Sequence, residues 1–139
     1  MKQVFHEIEI NTNGQKLYDF TSEVKKWIKK NEFFNGIINL SILHTSASSI
    51  IQENADPDVQ KDILSFFNKL VPMDKSYIHD TEGKDDMPAH IKSALTNNQI
   101  SLSIKNKRLL LGTWQGIYLF EHRLNPQKRI IIHHFLGEA

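Results

Sequence analysis

The chain has 139 residues, a net charge of +1 from 17 basic and 16 acidic side chains, and no cysteine. That length supports one hydrophobic core and a single domain over residues 1–139. Without cysteine, disulfides, thiolate catalysis and cysteine-held zinc are excluded, and any metal must rest on histidine and oxygen ligands. The charges are spread along the sequence without an evident basic face, which argues against a nucleic-acid partner. No window approaches the roughly 18 apolar residues of a membrane span, and the N-terminal MKQVFHEIEI has no apolar signal region. A soluble, cytoplasmic protein with no membrane partner is expected.

In chain order, Val4, Ile8 and Ile10, interleaved with His6, Glu7 and Glu9, predict an edge or half-exposed strand, and Asn11 to Gly14 its turn. Thr21 is expected to cap a helix in which Val24, Trp27 and Ile28 recur at i, i+3 and i+4. Lys25, Lys26, Lys29 and Lys30 take its other side and read as a solvated face rather than an anion site. Gly36 to Leu43 (GIINLSIL) predicts a buried strand, with His44 emerging where it stops. Asp56-Pro57-Asp58 opens a second helix, Asp56 as N-cap and Pro57 in the first turn. Its stripe of Val59, Ile63, Phe66, Phe67 and Leu70 is expected to face the core.

The segment Tyr77 to Pro88 (YIHDTEGKDDMP) is polar and reads as a functional loop. A third helix from Pro88 to about Leu95 follows, with Ile91, Ala94 and Leu95 facing inward. His90 stands four residues after Asp86, so the two can share one helix face. From Ile100 onward, strands are predicted over Ile100–Ile104, Arg108–Leu111, Ile117–His122 and Arg129–Phe135, with turns at Asn106-Lys107 and Asn125-Pro126. Strands and helices mix without strict alternation, so the expected class is α+β: a compact domain with a largely antiparallel or mixed sheet and about three helices. The run Ile130-Ile131-Ile132 puts apolar residues on both strand faces, so one face meets the core and the other a helix or another subunit.

Three of the seven histidines, His44, His79 and His90, fall in the polar segments. Neutral imidazole suits zinc and other transition ions, but their spacing matches no local metal motif. His6, His122, His133 and His134 lie inside strand patterns and need no function. Glu53 is open to a role as general base, as metal ligand or as a plain lysine partner. Asp80, Glu82, Asp85 and Asp86 can hold a hard cation such as magnesium, or simply be solvated. Gly112-Thr113-Trp114-Gln115-Gly116 joins two strands with accessible backbone N–H groups that can form an anion nest, with Trp114 expected as a packed anchor.

Taken together, His44-Thr45-Ser46-Ala47-Ser48, Glu53-Asn54-Ala55-Asp56-Pro57-Asp58, His79, Asp85-Asp86-x-Pro88-x-His90-Ile91 and Gly112-Thr113-Trp114-Gln115 resemble the motifs of the YjbQ-like family, often described as the secondary thiamine-phosphate synthase family. Some relatives carry Asn-Gly-His before the position of Ala89, where this chain has Met87-Pro88. The resemblance implies an α+β homotrimer with a site built from the histidine and acidic motifs, and a weak thiamine-phosphate synthase activity joining a pyrimidine diphosphate to a thiazole phosphate. On this reading His44, His79 and His90 bind a divalent metal, zinc or magnesium. Glu53 and Asp86 act as acid/base or further ligands, and Ser46, Ser48, Asn54, Thr113 and Gln115 orient a phosphorylated or anionic small molecule. The alternative is a non-catalytic module that binds a small anion or a metal.

Overall fold

Eight strands and three helices account for most of the computed structural model, which describes residues 1–139. In chain order they are β1 (Lys2–Thr12), β2 (Lys16–Asp19), α1 (Thr21–Asn31), β3 (Asn35–Ile42), β4 (Ala47–Glu53), α2 (Pro57–Leu70), α3 (Asp86–Leu95), β5 (Gln99–Lys105), β6 (Arg108–Leu109), β7 (Gln115–Glu121) and β8 (Gln127–Glu138). They form an antiparallel five-stranded sheet, β1-β8-β3-β5-β6, and an antiparallel three-stranded sheet, β2-β7-β4. The expected compact α+β class is the one found.

Period-two alternation fixes what lies between the sheets. Ile38, Leu40 and Ile42 of β3 and Ile131 and Phe135 of β8 cluster with Ile117 and Leu119 of β7, and α1 closes this core with Val24, Trp27 and Ile28. The opposite face of β7 offers Tyr118 and Phe120, which with Leu17 receive Ile63, Leu64 and Phe67 of α2. β7 is therefore buried on both faces from Gly116 to Glu121. Gly36 pairs with Gly137, and a Cβ on Gly36 would stand 2.9 Å from the ring of Phe135. That ring stacks on Phe33 at 3.8 Å between centroids, so the bare backbone admits an aromatic layer.

Several local expectations hold. Asp56 caps α2 by accepting from the Asp58 N–H at 2.9 Å, with Pro57 in the first turn. Asn106 and Lys107 turn the β5–β6 hairpin at φ of 50° and 66°, the left-handed pair that a two-residue hairpin requires. Others are corrected. Thr21 is the first helical residue rather than the cap; its N–H and hydroxyl both donate to Asp19. The outer part of the α2 stripe overhangs the small sheet, leaving Phe66 and Leu70 more than half exposed. The buried side of α3 is mostly polar, with Asp86, Lys92 and Ser93 beside Pro88 and Ala89, while Leu95 faces out. Trp114 is 65% exposed and anchors no core.

Candidate metal centre

The polar face of α3 is affordable because each inward group has a partner. Lys92 Nζ donates to Asn68 Oδ1 at 2.6 Å, and Ser93 Oγ to the Ala47 carbonyl at 2.9 Å. These bonds tie α3 to α2 and to the start of β4 and thereby set the position of Asp86 and His90 at its N-terminal end. A carboxylate in that first turn is also favoured by the helix dipole.

Asp86 lies at the middle of the cluster. Arg123, two residues beyond β7, donates through Nη1 to Asp86 Oδ1 at 2.7 Å, through Nε to Asp85 Oδ2 at 2.9 Å, and through Nη2 to the Glu82 carbonyl at 2.9 Å. One guanidinium thus pins both aspartates and the loop that precedes them. The other Asp86 oxygen, Oδ2, faces His79 Nε2 at 2.6 Å and His90 Nε2 at 3.1 Å, while Glu82 Oε2 stands 3.1 Å from His79 Nε2. One ligand atom from each of His79, Glu82, Asp86 and His90 falls within 4.8 Å of all the others. A tetrahedral ion with bonds of about 2.0–2.1 Å needs donors roughly 3.3 Å apart, so small side-chain movements would suffice.

The tautomer of His90 carries the chemical argument. Its Nδ1–H donates to the Thr45 carbonyl at 3.0 Å, and a carbonyl can only accept. Neutral His90 therefore turns a bare Nε2 lone pair toward a carboxylate oxygen 3.1 Å away, and two acceptors hold such a distance only with a proton or cation between them. A backbone carbonyl on the far ring nitrogen is the usual support of a metal-binding histidine. Burial alone would raise the Asp86 carboxyl, but the His79 bond and the Arg123 charge foremost outweigh it and hold it below its usual range. The Asp86 bond correspondingly lifts His79 above its ordinary value.

The other expected site residues lie elsewhere. His44 does not join His79 and His90 within the chain: its Nε2 accepts from the Ile130 N–H at 2.8 Å, which uses the lone pair a metal would need. Burial, then Arg129, pushes its pKa down. Ser46 and Ser48 face inward. Ser46 Oγ accepts from Arg129 at 2.9 Å, and Ser48 Oγ meets His122 Nε2 at 2.8 Å and accepts from Thr96. Both are framework, which corrects their expected role in holding substrate.

Glu53 ends β4, six residues after Ala47 and so roughly 20 Å along the strand from the metal cluster. Its Oε2 accepts from the Asp56 N–H at 3.2 Å. Asn54 donates to the Thr113 and Gln115 carbonyls, and Gln115 Oε1 accepts from the Gly112 N–H at 2.7 Å. Within one chain Glu53, Asn54, Thr113 and Gln115 staple two loops together, apart from His79 and His90. Arg123 was not singled out from sequence; 37 residues separate it from Asp86, and no local pattern marks it.

Comparison with known proteins agrees with this architecture. The model of the UPF0047 protein YjbQ-like family matches residues 6–138. A UPF0047 protein of Synechocystis is 50% identical over 131 residues, covering 94% of this chain and 89% of the relative. The YjbQ protein of Salmonella typhimurium is 48% identical over 103 residues, 74% of this chain and 75% of the relative. A crystal structure of a YjbQ/UPF0047 family protein from Clostridium acetobutylicum superposes with a TM-score of 0.85 at 34% identity, over 96% of this chain and 99% of that one. A YjbQ-like protein of Sulfolobus solfataricus, 23% identical, shares the fold with a TM-score of 0.87 over 99% of this chain and 100% of that one. A family model over nearly the whole chain, with a relative half identical to it, leads to one assignment: the chain belongs to the YjbQ-like UPF0047 family.

Proposed function

We propose that this protein is a metal-assisted enzyme acting on a phosphorylated or anionic small molecule, with thiamine-phosphate synthase-type transfer as the candidate reaction. The observation that carries the reading is the convergence of His79 Nε2, His90 Nε2 and Asp86 Oδ2 on one point, with the His90 tautomer fixed from behind by Thr45. His79, His90 and Asp86 are the assigned ligands, with Glu82 at the exposed side as the fourth. Two imidazoles in the donor set favour zinc or another transition ion over magnesium.

A divalent ion bound there would supply positive charge for a departing diphosphate. The chain's own residues supply order: Arg123 fixes the Asp86 carboxylate, and Thr45 fixes the ring of His90. His79, with 41% of its side chain exposed, and Glu82, with 64%, form the open side through which substrate would approach. His79 Nε2 holds the proton that a metal must displace. Since Asp86 raises the pKa of His79, metal affinity is expected to weaken with falling pH from a point above 6.5.

We include a homotrimer in the proposal. The outer face of the five-stranded sheet supports it: Phe5, Ile37, Leu43 and Leu136 are between 40% and 65% exposed, and they flank the half-buried Ile130 and Ile132 of β8. An apolar sheet face of this kind is what a subunit contact would cover. Light scattering is expected to return three times the chain mass, and a monomer at micromolar concentration would contradict it. A cytoplasmic site of action belongs to the same proposal and is checked by cell fractionation. No helix is long and apolar enough to cross a membrane.

The direct test incubates zinc-reconstituted protein with hydroxymethylpyrimidine diphosphate and thiazole phosphate and measures thiamine phosphate beside His90→Ala. Product formed by the parent and lost in the variant supports the reading. Stoichiometric metal with no turnover of these or other phosphorylated compounds would instead assign a non-catalytic metal- or anion-binding module.

A further inference from the structure

At the other end of the large sheet, the fold assembles charges that lie far apart in sequence. Lys25 and Lys29 of α1 meet Lys107 and Arg108 of the β5–β6 hairpin around a cleft of about 650 Å³, with Ile28 and Leu109 among its lining. Four cations face it against one carboxylate, Glu32, in a chain whose net charge is only +1. The α1 lysines are solvent-exposed, as their spacing predicts; the second pair of cations comes from about 80 residues away and is brought alongside only by the β3–β5 pairing.

The cleft is rigidly framed. The Lys107 N–H donates to the Phe34 carbonyl at 2.9 Å and the Asn106 N–H to Asn35 Oδ1 at 2.9 Å, so the hairpin tip is clamped to the α1–β3 connection. The chain has three non-glycine residues with positive φ: Glu32, Asn106 and Lys107. Two of them line the cleft and the third adjoins it. The hairpin turn and the left-handed C-cap of α1 account for these conformations and fix where Lys107 and Glu32 leave the backbone. Lys107 Nζ and Glu32 Oε1 are 3.9 Å apart, a loose pair at an exposed site that an entering anion can displace at little cost.

From this geometry we propose a second binding site, for a small phosphorylated molecule with an apolar or aromatic body, of the size of a nucleoside diphosphate. Lys25, Lys29, Lys107 and Arg108 neutralise the phosphates, with Arg108 able to grip one in bidentate fashion. The half-buried Leu109 and the methylene stems of the lysines receive the body. The site is separated from the metal centre by the length of β3, roughly 25 Å of strand, and does not depend on the enzymatic reading above.

Titration calorimetry of the full chain without divalent metal, using ADP as probe and adenosine as control, tests it. ADP is expected to bind saturably, with adenosine at least roughly tenfold weaker. Lys107→Gly should weaken ADP about tenfold while leaving the melting temperature unchanged or raised, because glycine suits φ of 66°. Arg108→Gln should act in the same direction, Glu32→Gln should tighten binding about twofold, and His79→Ala, in the metal-free protein, should leave ADP affinity as it is. The site is overturned by an absence of saturable ADP binding at millimolar concentration, or by equal binding of adenosine. It is also overturned if ADP affinity is lost in His79→Ala and kept in Lys107→Gly, or if a single-stranded oligonucleotide binds where ADP does not.

Discussion

Two charged constellations sit at the same end of the molecule and are built on opposite plans. In the first, Glu121 is fully buried and every oxygen is answered: Oε1 accepts from Thr12 Oγ1 at 2.6 Å and Arg129 Nε at 2.8 Å, and Oε2 accepts from Arg129 Nη2 and the His122 and Arg123 N–H groups. Arg129 also reaches Ser46, so the group joins β1, β7, β8 and the loop before β4. In the second, Asp86 is equally buried, yet one of its oxygens faces two imidazole nitrogens of which at least one is a bare acceptor when neutral. A satisfied buried pair specifies a fold. Convergent groups half open to solvent are what the proposed metal site is built from.

The largest effect that can break this contrast is removal of Arg129. Arg129→Met leaves the Glu121 carboxylate buried without its counter-charge and should cost about 3–5 kcal/mol of stability in urea unfolding. His90→Ala, by contrast, should remain folded. Equal losses from the two substitutions would remove the distinction.

A second effect separates buried from open histidines by pH. His133 is enclosed by Phe20, Trp27 and His6, and neither ring nitrogen has a hydrogen-bond partner. Burial, with the nearby His6, pushes its pKa down to about 4, and burial, then Lys92 and Arg129, pushes His122 down to about 3. Both folded values lie below the unfolded value of about 6.5, so the stability they contribute is full above that pH and falls as the pH drops toward 4 and 3. Each group should take away about 1.4 kcal/mol per pH unit within its window, about 3 kcal/mol in all for His133. Unfolding of His133→Leu measured from pH 7 to 4 should show a slope reduced by about one proton.

How much of this was legible in the sequence depended on whether local pattern or distant pairing set the outcome. β3, α1, α2 and the C-terminal strands show in their periodicity because each buries a continuous apolar face. β4 does not, since Ala47-Ser48-Ser49 buries small hydroxyls bonded to His122, Thr96 and Asn97, and β2 is only four residues long. The i, i+4 spacing of Asp86 and His90 was readable on one helix. His44 shares their polar sequence surroundings, but it follows β3, whose pairing with β8 hands its lone pair to Ile130. The cationic cleft was hidden for the same reason: it exists only after β5 pairs with β3.

The smallest expected effect belongs to Trp114. At 65% exposure, Trp114→Ala should change stability by no more than about 0.5 kcal/mol in thermal unfolding, whereas a multi-kcal/mol loss would show that the indole is covered in the working assembly.

The central claim is that His79, Asp86 and His90, and not His44, hold a divalent ion. The most direct measurement is metal per subunit by elemental analysis after zinc reconstitution and desalting, for the parent and for His79→Ala, Asp86→Asn, His90→Ala and His44→Ala, with the mass in solution recorded alongside. The account predicts about one ion per subunit in the parent and in His44→Ala, and a loss of roughly tenfold or more in affinity for each of the other three. A parent that retains no metal, or a loss in His44→Ala as deep as in His90→Ala, would contradict it.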